Sequence, residues 1–101
     1  LKKATVRIFE ALSHRTRLRC VELLGKRERT VDELSRKLKI VDSAVHHHLH
    51  VLRDAGLLHP TELHGRTGHY KLDKAALRAA LDDLAPYCAP DESDASGEAA
   101  G

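Results

Sequence analysis

Thr30-Val31-Asp32-Glu33-Leu34-Ser35-Arg36-Lys37-Leu38, then Lys39-Ile40-Val41, then Asp42-Ser43-Ala44-Val45-His46-His47-His48-Leu49-His50-Val51-Leu52-Arg53-Asp54-Ala55-Gly56-Leu57-Leu58, is the stretch that decides the fold. Thr30 with Glu33 three residues on has the form of a capping box, which closes the first turn of a helix from both ends. Val31, Leu34 and Leu38 recur at i, i+3 and i+7 and give that short helix one apolar stripe. Lys39-Ile40-Val41 makes a turn, and Asp42 or Ser43 supplies a cap for the next helix. In that second helix Val45, Leu49 and Leu52 point inward, while Ser43, His46, His47, His50 and Arg53 share the outer face. Gly56 stands where a helix stops through a left-handed residue, and Leu57-Leu58 open an extended segment. Two short helices joined by a tight turn, the second with a polar and cationic outer face, predict a helix placed in the DNA major groove.

Working outward, a chain of 101 residues with 42% hydrophobic content supplies one domain and a modest core. Two tyrosines, one phenylalanine and no tryptophan disfavour an aromatic ligand pocket or a stacking platform for single-stranded nucleic acid. No apolar run approaches the length that spans a membrane, so no membrane association is expected. Leu1-Lys2-Lys3 leads into an amphipathic helix rather than a continuous apolar stretch, which predicts no secretory leader. Cys20 and Cys88 are too few for a disulfide framework and point to the cytoplasm. An enzyme is not expected: Cys20, Cys88 and the eight histidines supply nucleophile and base types, but no spacing assembles them.

The net charge of +2 hides an asymmetry. All 17 Lys and Arg lie at or before Arg78, whereas Asp91, Glu92, Asp94 and Glu98 lie in the last eleven residues. Without those four acids the rest of the chain carries +6. Arg15, Arg17, Arg19, Lys26, Arg27, Arg29, Arg36, Lys37 and Lys39 form a dense cationic block, suited to phosphate contacts or to an ordinary solvated surface.

The remaining elements follow from periodicity and caps. Thr5 to Leu12 reads as a first helix with Val6, Phe9 and Leu12, or Ile8, on its apolar side. Ser13 caps a second helix carrying Leu18, Val21 and Leu24 and stopping at Gly25. Leu58 to Leu63 and His69 to Leu72 are extended runs around His64-Gly65-Arg66-Thr67-Gly68, whose glycines suit a hairpin turn. Asp73 caps a last helix whose apolar side is Leu77, Leu81 and Leu84 or else Ala76 and Ala80, and Pro86 and Pro90 end it. The expected fold is therefore mainly α with a small β-hairpin wing, a winged helix-turn-helix in the order ααααββα. Residues 1–88 form its DNA-binding and dimerisation domain, and residues 89–101 a disordered acidic tail. Arg66 at the hairpin tip is placed to reach the neighbouring minor groove or its phosphates.

Ala11-Leu12-Ser13-His14-Arg15-Thr16-Arg17-Leu18-Arg19, Val31-Asp32-Glu33-Leu34, the run from Ser43 to Leu58, Gly65-Arg66 and Tyr70-Lys71-Leu72 together resemble the ArsR-type winged-helix repressors. The resemblance covers about residues 5 to 84 and is most specific at His48-Leu49 with Leu52-Arg53-Asp54-Ala55-Gly56-Leu57. It implies a homodimer paired through its first and last helices, seated on an imperfect palindrome in double-stranded DNA and repressing transcription. Two-fold symmetry would then place two recognition helices in successive major grooves.

Ser43, His46, His47 and His50 are the candidates for base contacts, and Thr30, Lys39 and Arg66 for backbone contacts. Imidazole can donate to or accept from base edges, and a protonated ring favours phosphate. Many relatives have Ser where this chain has His46, and His48 matches a His that faces partly inward. His14, His59, His64 and His69 read as ordinary surface residues. His46 and His50, one turn apart, would also suit a metal, but such a site would occupy the DNA face. In metal-responsive members a thiolate pair lies where this chain has Thr30 and Asp32. Others hold zinc with Asp and His on the last helix, which here has Asp73, Asp82 and Asp83 but no His. No metal or other cofactor is therefore expected. Cys20 and Cys88 fall in regions where some members carry redox-responsive cysteines, and they are the candidates for a thiol switch. The competing function is a winged-helix protein-interaction module without specific DNA binding; it would favour acids or exposed aliphatics on the outer face.

Overall fold

A computed structural model describes residues 1–63 and 66–90 of the chain. Helices α1 (Lys3–Leu12) and α2 (Arg15–Lys26) lead to a two-residue strand β1 (Arg29–Thr30) and helices α3 (Val31–Leu38) and α4 (Asp42–Asp54). Strands β2 (Leu58–Leu63) and β3 (Arg66–Leu72) follow, then α5 (Lys74–Leu84) and a 3-10 turn at Ala85–Tyr87. The expected helices and hairpin are all present. Strand β1 is an addition: it pairs antiparallel with β3, Arg29 opposite Tyr70 and Thr30 opposite His69, so the sheet has the order β1-β3-β2. Two residues are too short to leave an alternation pattern in sequence, and Thr30 serves at once as strand end and helix cap.

Caps and stops written locally in the chain hold. Thr30 Oγ1 accepts from Glu33 N–H at 3.1 Å while Glu33 accepts from Thr30 N–H, completing the capping box. Asp73 accepts from Ala76 N–H at the start of α5. Gly56 takes φ +87° after α4, with Gly56 N–H donating to Arg53 and Leu57 N–H to Leu52. That pair of bonds is a Schellman stop, and it drops Leu57 into the core.

Other local expectations need correcting. Ser13 does not cap α2; its hydroxyl donates back to Glu10 and closes α1, and His14 caps α2 by accepting from Thr16 N–H. Gly25 lies within α2, which runs on to Lys26. Neither Asp42 nor Ser43 caps α4: Val41 holds that position and makes no side-chain cap bond. Gly68 is not in the turn but within β3, at φ +87°, facing a register irregularity between Thr61 and Leu63. His64 and Gly65 lie outside the described residues, as does the expected acidic tail from Asp91 onward.

One core joins the elements. Leu34, Val45, Leu49, Leu52, Leu57 and Leu58 are fully buried, flanked by Ile8, Ala11, Leu23, Leu24, Leu38, Leu72 and Ala80. The phase of α2 differs from expectation. On α2 it is Cys20, Leu23 and Leu24 that are buried, while Leu18 is 52% exposed. On α1 the Ile8 alternative is the correct one: Thr5, Ile8 and Ala11 face inward and Val6 is 44% exposed. Thr5 is inward because its hydroxyl donates to Asp83 at 2.7 Å, tying α1 to α5. On α5 the alanine alternative is correct: Ala80 is buried, Ala76 packs against the core and Leu81 is 47% exposed.

Candidate nucleic-acid interface

The turn before α4 is fixed by backbone geometry. Lys39 adopts φ +58°, its N–H donates to Ser35, and the Ser35 hydroxyl donates to the Ile40 carbonyl at 2.6 Å. A left-handed non-glycine residue here turns the chain sharply and leaves the Lys39 side chain exposed beside the start of α4.

With Val45, Leu49 and Leu52 buried, α4 is anchored along one side. Ser43, His46, His47, His50 and Arg53 are all exposed on the other, and Ser43 through Arg53 contains no carboxylate. These five residues, with Leu49 and Tyr70 of β3, line an open groove of about 410 Å³ between the helix and the wing. Four of the seven expected contact residues, Ser43, His46, His47 and His50, are thus brought together on one face. His50 pairs with Asp54 one turn on, at 3.2 Å.

Thr30 is half-buried, and its hydroxyl accepts from Glu33 N–H at the start of α3. Arg66 begins β3, but its side chain lies outside the described residues.

Beneath the outer face is an arrangement that sequence spacing did not show. His48 is half-buried, and its Nδ1 accepts from Arg17 Nη1 at 3.3 Å. Arg17 Nε donates to the Ala11 carbonyl at 2.6 Å, so one guanidinium bridges α1, α2 and α4. The rings of His14 and His47 stand 4.7 Å and 5.5 Å from that of His48. Burial, and then the neighbouring His14, Arg17 and His47, hold the His48 imidazole below its ordinary value. A base whose folded value is depressed contributes stability above its unfolded value and loses it as pH falls through the folded one. Melting temperature should therefore decline below about pH 6.5, before the carboxylates titrate, and His48→Gln should flatten that decline. A melting profile equally steep in the variant would refute the assignment.

The far end of α4 is tied down by Arg7, whose guanidinium donates to the Asp54 carbonyl at 3.0 Å. This satisfies an orphan carbonyl with a cation, as helix ends favour.

The cationic block is not one surface. Arg29 is buried and donates to the Leu23 carbonyl at the end of α2. Arg27 pairs with Glu33 at 2.7 Å and Arg36 with Asp32 at 2.8 Å. Among the scattered histidines, His59 is exposed and pairs with Asp73 at 2.7 Å, whereas His69 is buried, against the surface expectation, and its Nδ1 has no hydrogen-bond partner among the described residues.

The sequence profile described as "Bacterial regulatory protein, arsR family" matches residues 14–59, from the α2 cap to β2. A solved structure described as a possible transcriptional regulator for arsenical resistance is 38% identical, covering 87% of this chain and 88% of that one, with a TM-score of 0.68. This chain belongs to the ArsR family. An ArsR-like transcriptional regulator from Rhodococcus sp. RHA1 aligns with a TM-score of 0.76 at 26% identity over 83% of this chain and 78% of that one. The homodimeric winged helix-turn-helix DNA-binding domain Mb0332 from Mycobacterium bovis shares the fold at 22% identity, with a TM-score of 0.65 over 82% of this chain and 78% of that one. A comparison with curated proteins yields no match.

In this ArsR-family chain the two thiols have unlike surroundings. Cys20 is 0% exposed, and burial pushes its thiol up to about 11 against the opposing pull of Arg17 and Arg19. Such a group is almost entirely protonated at neutral pH, so the buried site does not support Cys20 as the nucleophilic partner of a switch. Cys88 is exposed on the 3-10 turn beyond α5, and both thiols are free. A thiol reagent applied to native protein near neutral pH should modify Cys88 rapidly and Cys20 only on unfolding; equal rates would contradict the burial of Cys20. Among the described residues no three His, Cys, Asp or Glu side chains come together to hold a metal ion.

Proposed function

We propose that this ArsR-family protein is a cytoplasmic, sequence-specific DNA-binding regulator that acts as a homodimeric repressor on a palindromic operator. The observation that carries this reading is the outer face of α4: exposed hydroxyl, imidazole and guanidinium groups from Ser43 to Arg53, uninterrupted by a carboxylate. Such a face meets base edges and phosphates, and it gives a protein partner little apolar area. Ser43, His46, His47 and His50 are assigned to base and near-base contacts, the imidazoles lying close enough to meet the flanking phosphates as well, Lys39 and Arg66 to the backbone, and Thr30 to holding α3 in place beneath them. Residues 1–88 are assigned to the DNA-binding and dimerisation unit.

Pairing is supported by α1 and α5, which pack together and leave Val6 and Leu81 exposed. The homodimeric Mycobacterium relative adds to that support.

The test is titration of a duplex taken from upstream of the protein's own gene, at several salt concentrations. Log affinity should fall with log salt at a slope of about −0.9 per phosphate neutralised, several units in all for a dimer. Absence of binding, or binding indifferent to salt, would reject the reading and favour a protein-interaction role.

A further inference from the structure

We propose that DNA binding by this protein is coupled to proton uptake: His46, His47 and His50 gain charge against the phosphates, while His48 behind them stays neutral on Arg17, so that affinity passes through a maximum in mildly acidic solution. The inference rests on the DNA-binding reading above and concerns how the same face is regulated.

Three imidazoles on one exposed helix face are an unusual means of contacting a polyanion. Lysine or arginine would carry a fixed charge, whereas imidazole changes charge near pH 6.5. A phosphate placed within a few ångströms favours the charged form of an imidazole, so forming the complex draws protons onto the rings it faces. By linkage, affinity must then rise as protons become available. The face is arranged to permit this. On α4 itself the neighbours are Ser43 and Arg53, with Asp54 beside His50 as a local counter-charge. From β3, Tyr70 lines the groove. From α3, Asp32 and Glu33 are held by Arg36 and Arg27, and Lys37 and Lys39 are exposed. From β2, His59 is held by Asp73. From α1, Arg7 engages the Asp54 carbonyl.

His48 sets the acid limit. Its Nδ1 accepts from Arg17, an acceptor role that protonation abolishes, and it lies between His14 and His47 with a guanidinium against it. A proton there would place two cations in contact at the seam of α1, α2 and α4. Protonation outside strengthens binding; protonation inside loosens the support of the reading helix.

The experiment measures affinity for a labelled duplex of about 30 base pairs from upstream of the gene, at constant ionic strength, from about pH 8 down to about pH 5.5. Affinity should grow roughly tenfold or more between about pH 8 and about pH 6.5, then fall. Titration calorimetry in two buffers of different ionisation heat should count a net uptake of protons near neutral pH. The His46→Gln, His47→Gln, His50→Gln triple variant should lose the rise; His47→Gln alone should lose part of it. Wild-type protein that binds with a flat profile and no proton uptake overturns the inference and leaves DNA binding standing. A triple variant that binds with the wild-type profile overturns it too, by placing the protons elsewhere. No binding at any pH removes the DNA-binding reading itself.

Discussion

Replacing His47 with alanine is expected to weaken operator binding by about thirtyfold while moving the melting temperature by no more than a degree or two. His47 is exposed, its ring meets only His48 among the described aromatic contacts, and exposed positions of this kind change stability by about 0.5 kcal/mol or less. A specific base contact is worth about 1–3 kcal/mol, and a single imidazole bond belongs at the low end of that range. Two protomers reading a palindrome double the loss, to about 2 kcal/mol, which is where the thirtyfold arises. The comparison that isolates the role uses a scrambled duplex of equal length. Loss on the operator with little loss on the scrambled duplex identifies a base contact. An equal loss on both identifies a phosphate contact, and unchanged binding removes His47 from the interface.

Leu52→Ala should act in the opposite manner, on the fold first and on binding only as a consequence. Leu52 is fully buried on the inner side of α4. Truncating a buried leucine costs about 2–5 kcal/mol, because the surroundings close only partly over the space left behind. A domain of this size has about 5–15 kcal/mol in total, so the variant should melt at least about 10 °C lower. Below its transition it should still bind the operator, since the residues on the outer face are intact. A variant that melts with the wild type would show that the helix does not depend on that side chain.

What the sequence revealed, and what it withheld, divides by the range of the forces involved. The Thr30–Glu33 box, the Gly56 stop and the Asp73 cap are interactions within a few residues, and each formed as its spacing implied. The exposed set on α4 was equally readable, because three buried positions fix the phase of a helix. The phase of α2 was not readable. Leu18 and Cys20 are both plausible core residues, and only the position of α1 and α4 selects Cys20. Val41, which cannot cap, takes the N-cap position two residues after the left-handed Lys39, ahead of the two better capping residues. The contact of Arg17 with His48 spans 31 positions and has no local signature. Arg29 illustrates the same limit. As one cation among many it suggested phosphate binding, yet a strand of two residues carries it inward to close the end of α2.

The two ends of α4 are held unequally. At Asp54 the helix is bolted on two sides, by the Arg7 guanidinium from α1 and by the Gly56 stop, after which Asp73 N–H donates to the Leu57 carbonyl at 2.7 Å and locks the root of α5 to the same point. At the other end Val41 makes no side-chain cap bond, and the nearest tie is the Ser35 hydroxyl on the preceding Ile40 carbonyl. A tilt of α4 about its Asp54 end would therefore move its first turn most. Ser43 stands about 16 Å along the axis from Asp54 and His46 about 12 Å, so a tilt of about 5° at that end would carry them through about 1.4 Å and about 1 Å. A displacement of that size separates a hydrogen bond from its base edge. Under the proposed function, a small adjustment between α1 and α5 would be largest at the Ser43 end of α4, which gives a signal reaching those two helices a mechanical route to the DNA.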